Sequence, residues 1–254
     1  LGGGRAEVEL DGRPRPGGGP RGERRAGGKA PRGRGARGAA LVPNGVDVSM
    51  FGPASTGETF RKANGLSGKF VALYAGAHGM SNDLNVVLEA AAELRHVEDI
   101  VFTFVGDGKE KPALMRRAAD LGLANVRFVP AVAKDDMPQA MAAADVGIAI
   151  LKPLEVYKTT YPNKVFDYMA AGRPVILAID GAIREVVEGA GAGVFVEPGD
   201  PQAMAAAVAR LAGDRKARRR MGLAGRACVS ERFDRAGLAD RMEAIMRQVV
   251  DEHR

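Results

Sequence analysis

The sequence predicts an α/β domain in which a doubly wound parallel sheet is covered by helices on both faces. Two features carry that expectation. From Lys69 onward, short and nearly continuous apolar runs alternate with longer stretches whose apolar residues recur at helical spacing. This is the pattern of βαβ units whose strands are buried on both sides. Several runs also end in glycine: Gly76 and Gly79 follow one strand, Gly106 and Gly108 the next. Right-handed crossovers wind such units into an open sheet whose ligand lies at the carboxyl ends of the strands. Many nucleotide-binding enzymes share that architecture.

Each element has its own signal. LVPNGVDVSMF (41–51) reads as a short apolar strand, a turn at Asn44-Gly45 and a Val-Asp-Val return. KFVALYAG (69–76) is a buried strand, and NDLNVVLEAAAELRHV (82–97) a helix with Leu84, Val87, Leu88, Ala91 and Leu94 on one face. DIVFTFVGDG (99–108) is the next strand, and EKPALMRRAADLGL (110–123) a helix stopped at Gly122. NVRFVPAV, DVGIAIL (145–151), RPVILAI (173–179) and AGVFVEPGD supply further strands. KDDMPQAMAAA, PNKVFDYMAAG (162–172, closed by Gly172) and IREVVEGAG are the helices between them. PQAMAAAVARLAGD (201–214) is a helix opened by Pro201 after a capping Asp200, and two further helical stretches end the chain.

Composition excludes several classes. Apolar residues are 46% of the 254-residue chain, enough for a sizeable core, but aromatics are 5% and Trp is absent, so Ala and aliphatic side chains must fill it. The net charge of +6 is local: residues 1–40 hold ten Lys/Arg and four Asp/Glu, leaving 27 of each sign in the other 214 residues. The globular part is neutral and offers no field for nucleic acid. Residues 1–40 contain 13 Gly and four Pro and almost no large apolar side chain. Such a segment cannot offset its ordering entropy, so a disordered tail is expected. It lacks the interleaved aromatics of base-stacking RNA binders. A solvated tail, or a non-native start in keeping with Leu1 in place of Met, is expected instead. Cys228 is the only cysteine, which excludes an intrachain disulfide and suits a reducing, cytoplasmic compartment. With no His nearby it reads as a small helix residue rather than a nucleophile. Neither a run of about 18 apolar residues nor a signal-peptide core is present.

Four segments could carry chemistry. In AGAHGMSND (75–83), Gly76 and Gly79 let backbone N–H groups approach an anion ahead of a helix whose dipole favours phosphate. The loop is not a G-x-G-x-x-G fingerprint, and no acidic residue ends the second strand, so a dehydrogenase is not indicated. His78 either touches a sugar hydroxyl or phosphate, or is an ordinary solvent-exposed loop histidine. In VGDG (105–108), Gly106 and Gly108 make room for a ligand or for neighbouring backbone, and Asp107 reads as a helix cap. In TTYPNKVFDYMAAGRPVI (159–176), Pro162 takes the first helical position, which puts Asn163 and Lys164 in the first turn. Free backbone donors and an ammonium there make a diphosphate site. Asp167 shares a face with Lys164. It either accepts both hydroxyls of a ribose or, as spacing alone suggests, forms a surface ion pair with Lys164. No Asp-x-Asp motif is present, and Asp135-Asp136 reads as a cap, so no metal is expected.

LVPNGVDVSMF, YAGAHG, FVGDG, NVRFVPAV and YPNKVFDYMAAGRPVI, in this order and spacing, resemble the donor domain of the retaining GT-B glycosyltransferases of family 4. The closest likeness is to the bacterial subgroup that builds cell-surface polysaccharides. The resemblance implies a linker at 41–67, a Rossmann-like nucleotide-sugar-binding domain at 68–230 and a C-terminal helix at 231–254, with the N-terminal acceptor domain missing. It also implies that Asp167 stands where the second glutamate of an E-x7-E motif binds ribose, and Lys164 where a lysine faces phosphate. Gly76 and Gly79 would lie under the diphosphate, and Val132 would meet the base through its backbone. The sequence departs from the family at Thr159, where the first glutamate stands, and at Ala77 and Asn82, where many members carry Arg and Lys. The subgroup often shows both departures.

The implied activity is transfer of a sugar from a nucleoside diphosphate, uridine diphosphate by expectation, to an acceptor hydroxyl with retained configuration. Lys164 and the helix start would stabilise the departing diphosphate in place of a metal or other cofactor, and His78 is the second catalytic candidate. The implied partners are the nucleotide sugar and an acceptor glycan or lipid-linked sugar, with peripheral attachment to the inner face of the membrane through the acceptor domain. Two alternatives stay open: a non-catalytic nucleotide-sugar-binding fragment, and an epimerase of the same fold, against which PNGVD and AAGRPV speak.

Overall fold

The predicted alternation of strands and helices is present in a computed structural model, which describes residues 40–52 and 55–252. The strands are β1 (Phe70–Ala75), β2 (Ile100–Val105), β3 (Val126–Val129), β4 (Val146–Ile150), β5 (Val175–Ala178) and β6 (Gly193–Phe195). They form one parallel sheet in the order β3-β2-β1-β4-β5-β6. The chain thus winds outward in one direction from β1 and in the other from β4, and a crevice opens at that switch point, at the carboxyl ends.

Every second residue of a strand faces the same layer. Val71, Leu73 and Ala75 of β1 join the core under α1 (Glu58–Ala63), α4 (Met137–Ala143), α5 (Asn163–Ala170), α6 (Ala182–Gly189) and the later turns of α8 (Arg215–Arg232). Ala72 and Tyr74 join the opposite core under α2 (Leu84–Glu93), α3 (Lys111–Asp120) and α7 (Pro201–Gly213). Both faces are covered, which is why the strands read as continuous apolar runs. A last helix, α9 (Arg235–Asp251), leaves Met242, Met246, Val249 and Val250 exposed. Leu41–Arg254 forms one compact unit. Among the described residues no helix is long and apolar enough to cross a membrane. The expectation of disorder for residues 1–40 falls, Ala40 apart, outside the described residues.

Some local expectations change. Residues 41–51 do not form a strand: Val46 alone makes a parallel bridge, to Asp234. Its N–H donates to Phe233 O at 2.9 Å, and its carbonyl accepts from Arg235 N at 2.9 Å. One residue later the Asp47 carboxylate accepts the Ser49 N–H and turns the chain into a 3-10 turn, Val48–Met50, so a ladder cannot continue. Asp107 binds the N–H of Gly108 at 2.7 Å and does not cap α3. Asp136 takes the N-cap position of α4, but its side chain makes no capping hydrogen bond, and Asp135 lies within the preceding 3-10 turn, Lys134–Asp136. Asp200 caps α7 as expected, accepting Ala203 N–H at 2.8 Å.

Strands β1 and β4 pair only at Ala72–Val146 and Leu73–Gly147. Beyond that point the buried hydroxyl of Tyr168, reaching in from α5, accepts the Ala75 N–H at 2.8 Å and donates to Leu73 O at 3.0 Å. The ring needs the bare backbone of Gly147, where a Cβ would lie 2.3 Å from it. Tyr168→Phe leaves the Ala75 N–H without an acceptor inside the protein. We expect a loss of about 1–3 kcal/mol in equilibrium denaturation; an unchanged midpoint and slope would show that the hydroxyl contributes nothing to the junction.

Candidate functional site

The crevice at the switch point is lined by the loop after β1, the turn after β2, the segment after β3 and the start of α5. The first two pack backbone to backbone. Gly106 has φ +141°, and a Cβ on it would lie 2.0 Å from Gly76 O; one on Gly108 would lie 2.5 Å from His78 O. These glycines therefore make room for neighbouring backbone, the second of the two readings of VGDG. The His78 N–H donates to Asp107 O at 2.8 Å, and Lys111 Nζ bridges the ends of β2 and β3 through Gly106 O and Val129 O at 2.7 and 3.3 Å.

Lys164 is the cation of the crevice. It stands in the first turn of α5, one residue after the helix opens at Asn163, with Pro162 as the capping residue rather than the first helical one. Its ammonium does not turn to Asp167, so the simple surface ion pair is not formed. It crosses to the β1 side, donates to Tyr74 Oη at 2.8 Å and Asn82 Oδ1 at 3.4 Å, and sits 4.0 Å from the centre of the Tyr74 ring. Tyr74 Oη gives its own proton to Ala77 O at 2.7 Å, which fixes it as acceptor toward Lys164. Gly76 opens the space beside the ammonium: a Cβ there would lie 3.1 Å from Nζ. No carboxylate neutralises Lys164 among the described residues, and burial pushes its pKa down to about 7.

Asp167, half-buried, has no side-chain hydrogen bond among the described residues; burial raises its carboxyl to about 6 and Arg235 opposes the rise. The backbone N–H groups of Asn163 and Lys164, and those of Ala77 and Gly79, have no acceptors in the described structure. Gly79 is extended and has room for a side chain, so its glycine is not required by the fold. Val132 makes no backbone hydrogen bond, while its side chain packs on the core. Thr159 ends the exposed 3-10 turn Glu155–Thr159, and that turn is tied to the β1 loop by Tyr157 Oη and Ser81 Oγ at 2.7 Å.

His78 is neither exposed nor in reach of a ligand as the chain stands. Its ring is fully buried beside Tyr74, Phe104 and Phe128, and both ring nitrogens lack partners. Burial, reinforced by the Lys111 ammonium, pushes it down to about 4, so it is a neutral support under the loop. Tyr74 and Lys111 are the residues that sequence reasoning left out, and Asn82 entered it only as a departure from the family. The hydroxyl of the only polar residue in VALYA was the one available signal. Among the described residues no group of three or more His, Cys, Asp or Glu side chains gathers to hold a metal.

Sheet order and crevice define a Rossmann-like domain of the doubly wound class. The profile of the family described as glycosyl transferases group 1 matches residues 69–214, more than half of the chain, and the chain belongs to that family. Its fold is that of the C-terminal half of the GT-B architecture. The D-inositol 3-phosphate glycosyltransferase of Salinispora tropica is 31% identical over 193 residues, 68% of this chain and 39% of that protein. The putative colanic acid biosynthesis glycosyl transferase WcaI of Escherichia coli K12 is 27% identical over 176 residues, 66% of this chain and 42% of that one. The crystal structure of Anabaena Alr3699/HepE in complex with UDP aligns with a TM-score of 0.72 at 23% identity, over 80% of this chain and 56% of that chain. The chain thus spans about two fifths of the length of these curated relatives.

The folded protein releases the Lys164 proton near pH 7, whereas the unfolded chain holds it to 10.5. The unfolded state binds more protons in that window, so stability rises with pH across it. The rise is cleanest below pH 9.0, where the raised Cys228 thiol begins to oppose it. Denaturation of the parent and of Lys164→Met at stepped pH should show the rise in the parent and a flatter profile in the variant. Parallel profiles would contradict the depressed pKa.

Proposed function

We propose that this domain binds the nucleoside-diphosphate sugar of a retaining glycosyltransferase, with a uridine diphosphate donor. One observation carries the reading: a half-buried ammonium, free of any carboxylate, held beside a glycine turn and a helix start whose N–H groups have no acceptors. That arrangement is unfavourable for the empty protein and complementary to a diphosphate. Lys164 and the N–H groups of Asn163, Ala77 and Gly79 hold the two phosphates. As the bond to the sugar breaks, negative charge grows on the β-phosphate, and these preorganised donors stabilise it without a metal ion. Asp167 accepts the ribose hydroxyls, and the free backbone groups of Val132 meet the base.

Two similar proteins support this reading: Anabaena Alr3699/HepE, of the same fold, was crystallised in complex with UDP, and WcaI is a putative glycosyl transferase of colanic acid biosynthesis. We place donor binding in this domain and transfer in the whole protein, since the relatives are more than twice as long as the matched region. The acceptor is a glycan or lipid-linked sugar, met at the inner face of the membrane during cell-surface polysaccharide synthesis.

Titrating uridine, uridine monophosphate and uridine diphosphate in the presence of chelator tests the assignment. Lys164→Ala should weaken the diphosphate roughly ten- to hundredfold, the equivalent of about 1.5–3 kcal/mol, and spare uridine. Asp167→Asn should weaken all three alike. Unchanged affinities in both variants would refute the site, and binding that returns only with magnesium would refute the metal-free reading.

A further inference from the structure

Away from the crevice, at the amino ends of β4 and β5, lies a cavity of about 360 Å³. Its walls are Asp145, the turn 172–174 and the first half of α8, and five of its side chains are arginines: Arg173, Arg215, Arg218, Arg219 and Arg226. The single acid does not balance them. Asp145 already accepts Arg61 at 2.7 Å and the Val71 N–H at 2.9 Å, and the nearest cavity arginine, Arg218, is 3.9 Å away. Three of the arginines are structural. Arg218 caps the carbonyls of Leu211 and Ala212, Arg226 binds those of Phe51 and Ala170, and Arg173 binds Ala142 O at 2.7 Å while its buried Nε finds no acceptor. Arg215 and Arg219 are exposed and have no hydrogen-bond or ion-pair partner among the described residues.

The fold gains nothing from that arrangement. After its Asp214 cap, α8 opens RKARRR, with five cations in its first six residues. They stand at the end where the helix dipole is already positive. Arg215 and Arg219 are also an i,i+4 pair of like charges, a destabilising spacing. Close packing holds the helix there: a Cβ on Gly222 would lie 2.0 Å from Gly172 O, so α8 meets the α5–β5 turn backbone to backbone at the cavity wall. Local charge repulsion around a formed cavity is relieved by a multivalent anion, and guanidinium pairs match phosphate geometry.

We propose that this cavity is a second anion site, separate from the crevice, that takes a phosphate group through Arg215 and Arg219 against the positive wall of Arg173, Arg218 and Arg226. Soluble phosphates and phospholipid headgroups share that chemistry. The full chain is therefore titrated with inorganic pyrophosphate and, in a second arm, floated with vesicles of phosphatidylglycerol in phosphatidylcholine. Arg215→Gln/Arg219→Gln should weaken binding about tenfold or more in at least one arm. Lys216→Gln/Arg220→Gln removes the same charge from the same helix outside the cavity and should weaken it far less. Neither pair supports the core, so neither variant should melt below the parent. Loss in the pyrophosphate arm assigns a soluble ligand, and loss in the vesicle arm alone assigns a headgroup. Equal loss in both variants, or no difference from the parent in either arm, would overturn the proposal.

Discussion

Where β1 and β4 part, the sheet stops supplying hydrogen-bond partners, and the Tyr168 hydroxyl takes over that role for Leu73 and Ala75. The site depends on this junction. Tyr168 belongs to α5, the same helix that carries Lys164 four residues earlier, one turn toward the crevice. One buried hydroxyl thus fixes the height and rotation of the helix start relative to the loop that leaves β1. The Lys164–Tyr74 contact repeats the link one turn higher, from α5 back to the end of β1. With both ties made, an ammonium and a row of N–H groups from two separate segments face one space.

The electrostatics of that space follow first from burial, with neighbouring charges second. Lys164 and His78 are each pushed toward their neutral forms, and Asp167 toward its protonated form. An empty crevice of this kind is undercharged. A dianionic ligand would draw the proton onto Lys164 and be held by a full positive charge in a partly desolvated setting, where such a contact is strongest. His78, kept neutral under the loop, adds bulk without charge, and its packing against Phe104 and Phe128 joins the β1 loop to β2 and β3.

Most of the fold was legible because its strands are buried on both faces and its helices on one, and the two resulting periods are distinct in the chain. What was not legible depended on partners remote in sequence. The stretch around Val46 has strand composition, but its bridge partner is Asp234, and the Asp47 side chain ends the pairing after one residue. The spacing of Lys164 and Asp167 put them on one face, yet Tyr74 and Asn82, from β1 and its loop, draw the ammonium away. His78 reads as a ligand contact or an exposed loop residue because nothing local shows that Phe104 and Phe128 close over it. The arginine cavity was invisible for the same reason: Asp145, Arg173 and α8 meet only in the folded chain.

The central claim is that Lys164, its pKa lowered by burial to about 7 in the empty crevice, is the cation that holds a diphosphate. Calorimetric titration with uridine diphosphate at about pH 8, repeated in buffers of different ionisation enthalpy, counts the protons exchanged on binding. The account predicts uptake approaching one proton per ligand bound, abolished in Lys164→Met. Binding with no proton uptake, or with the same uptake in the variant, would contradict it.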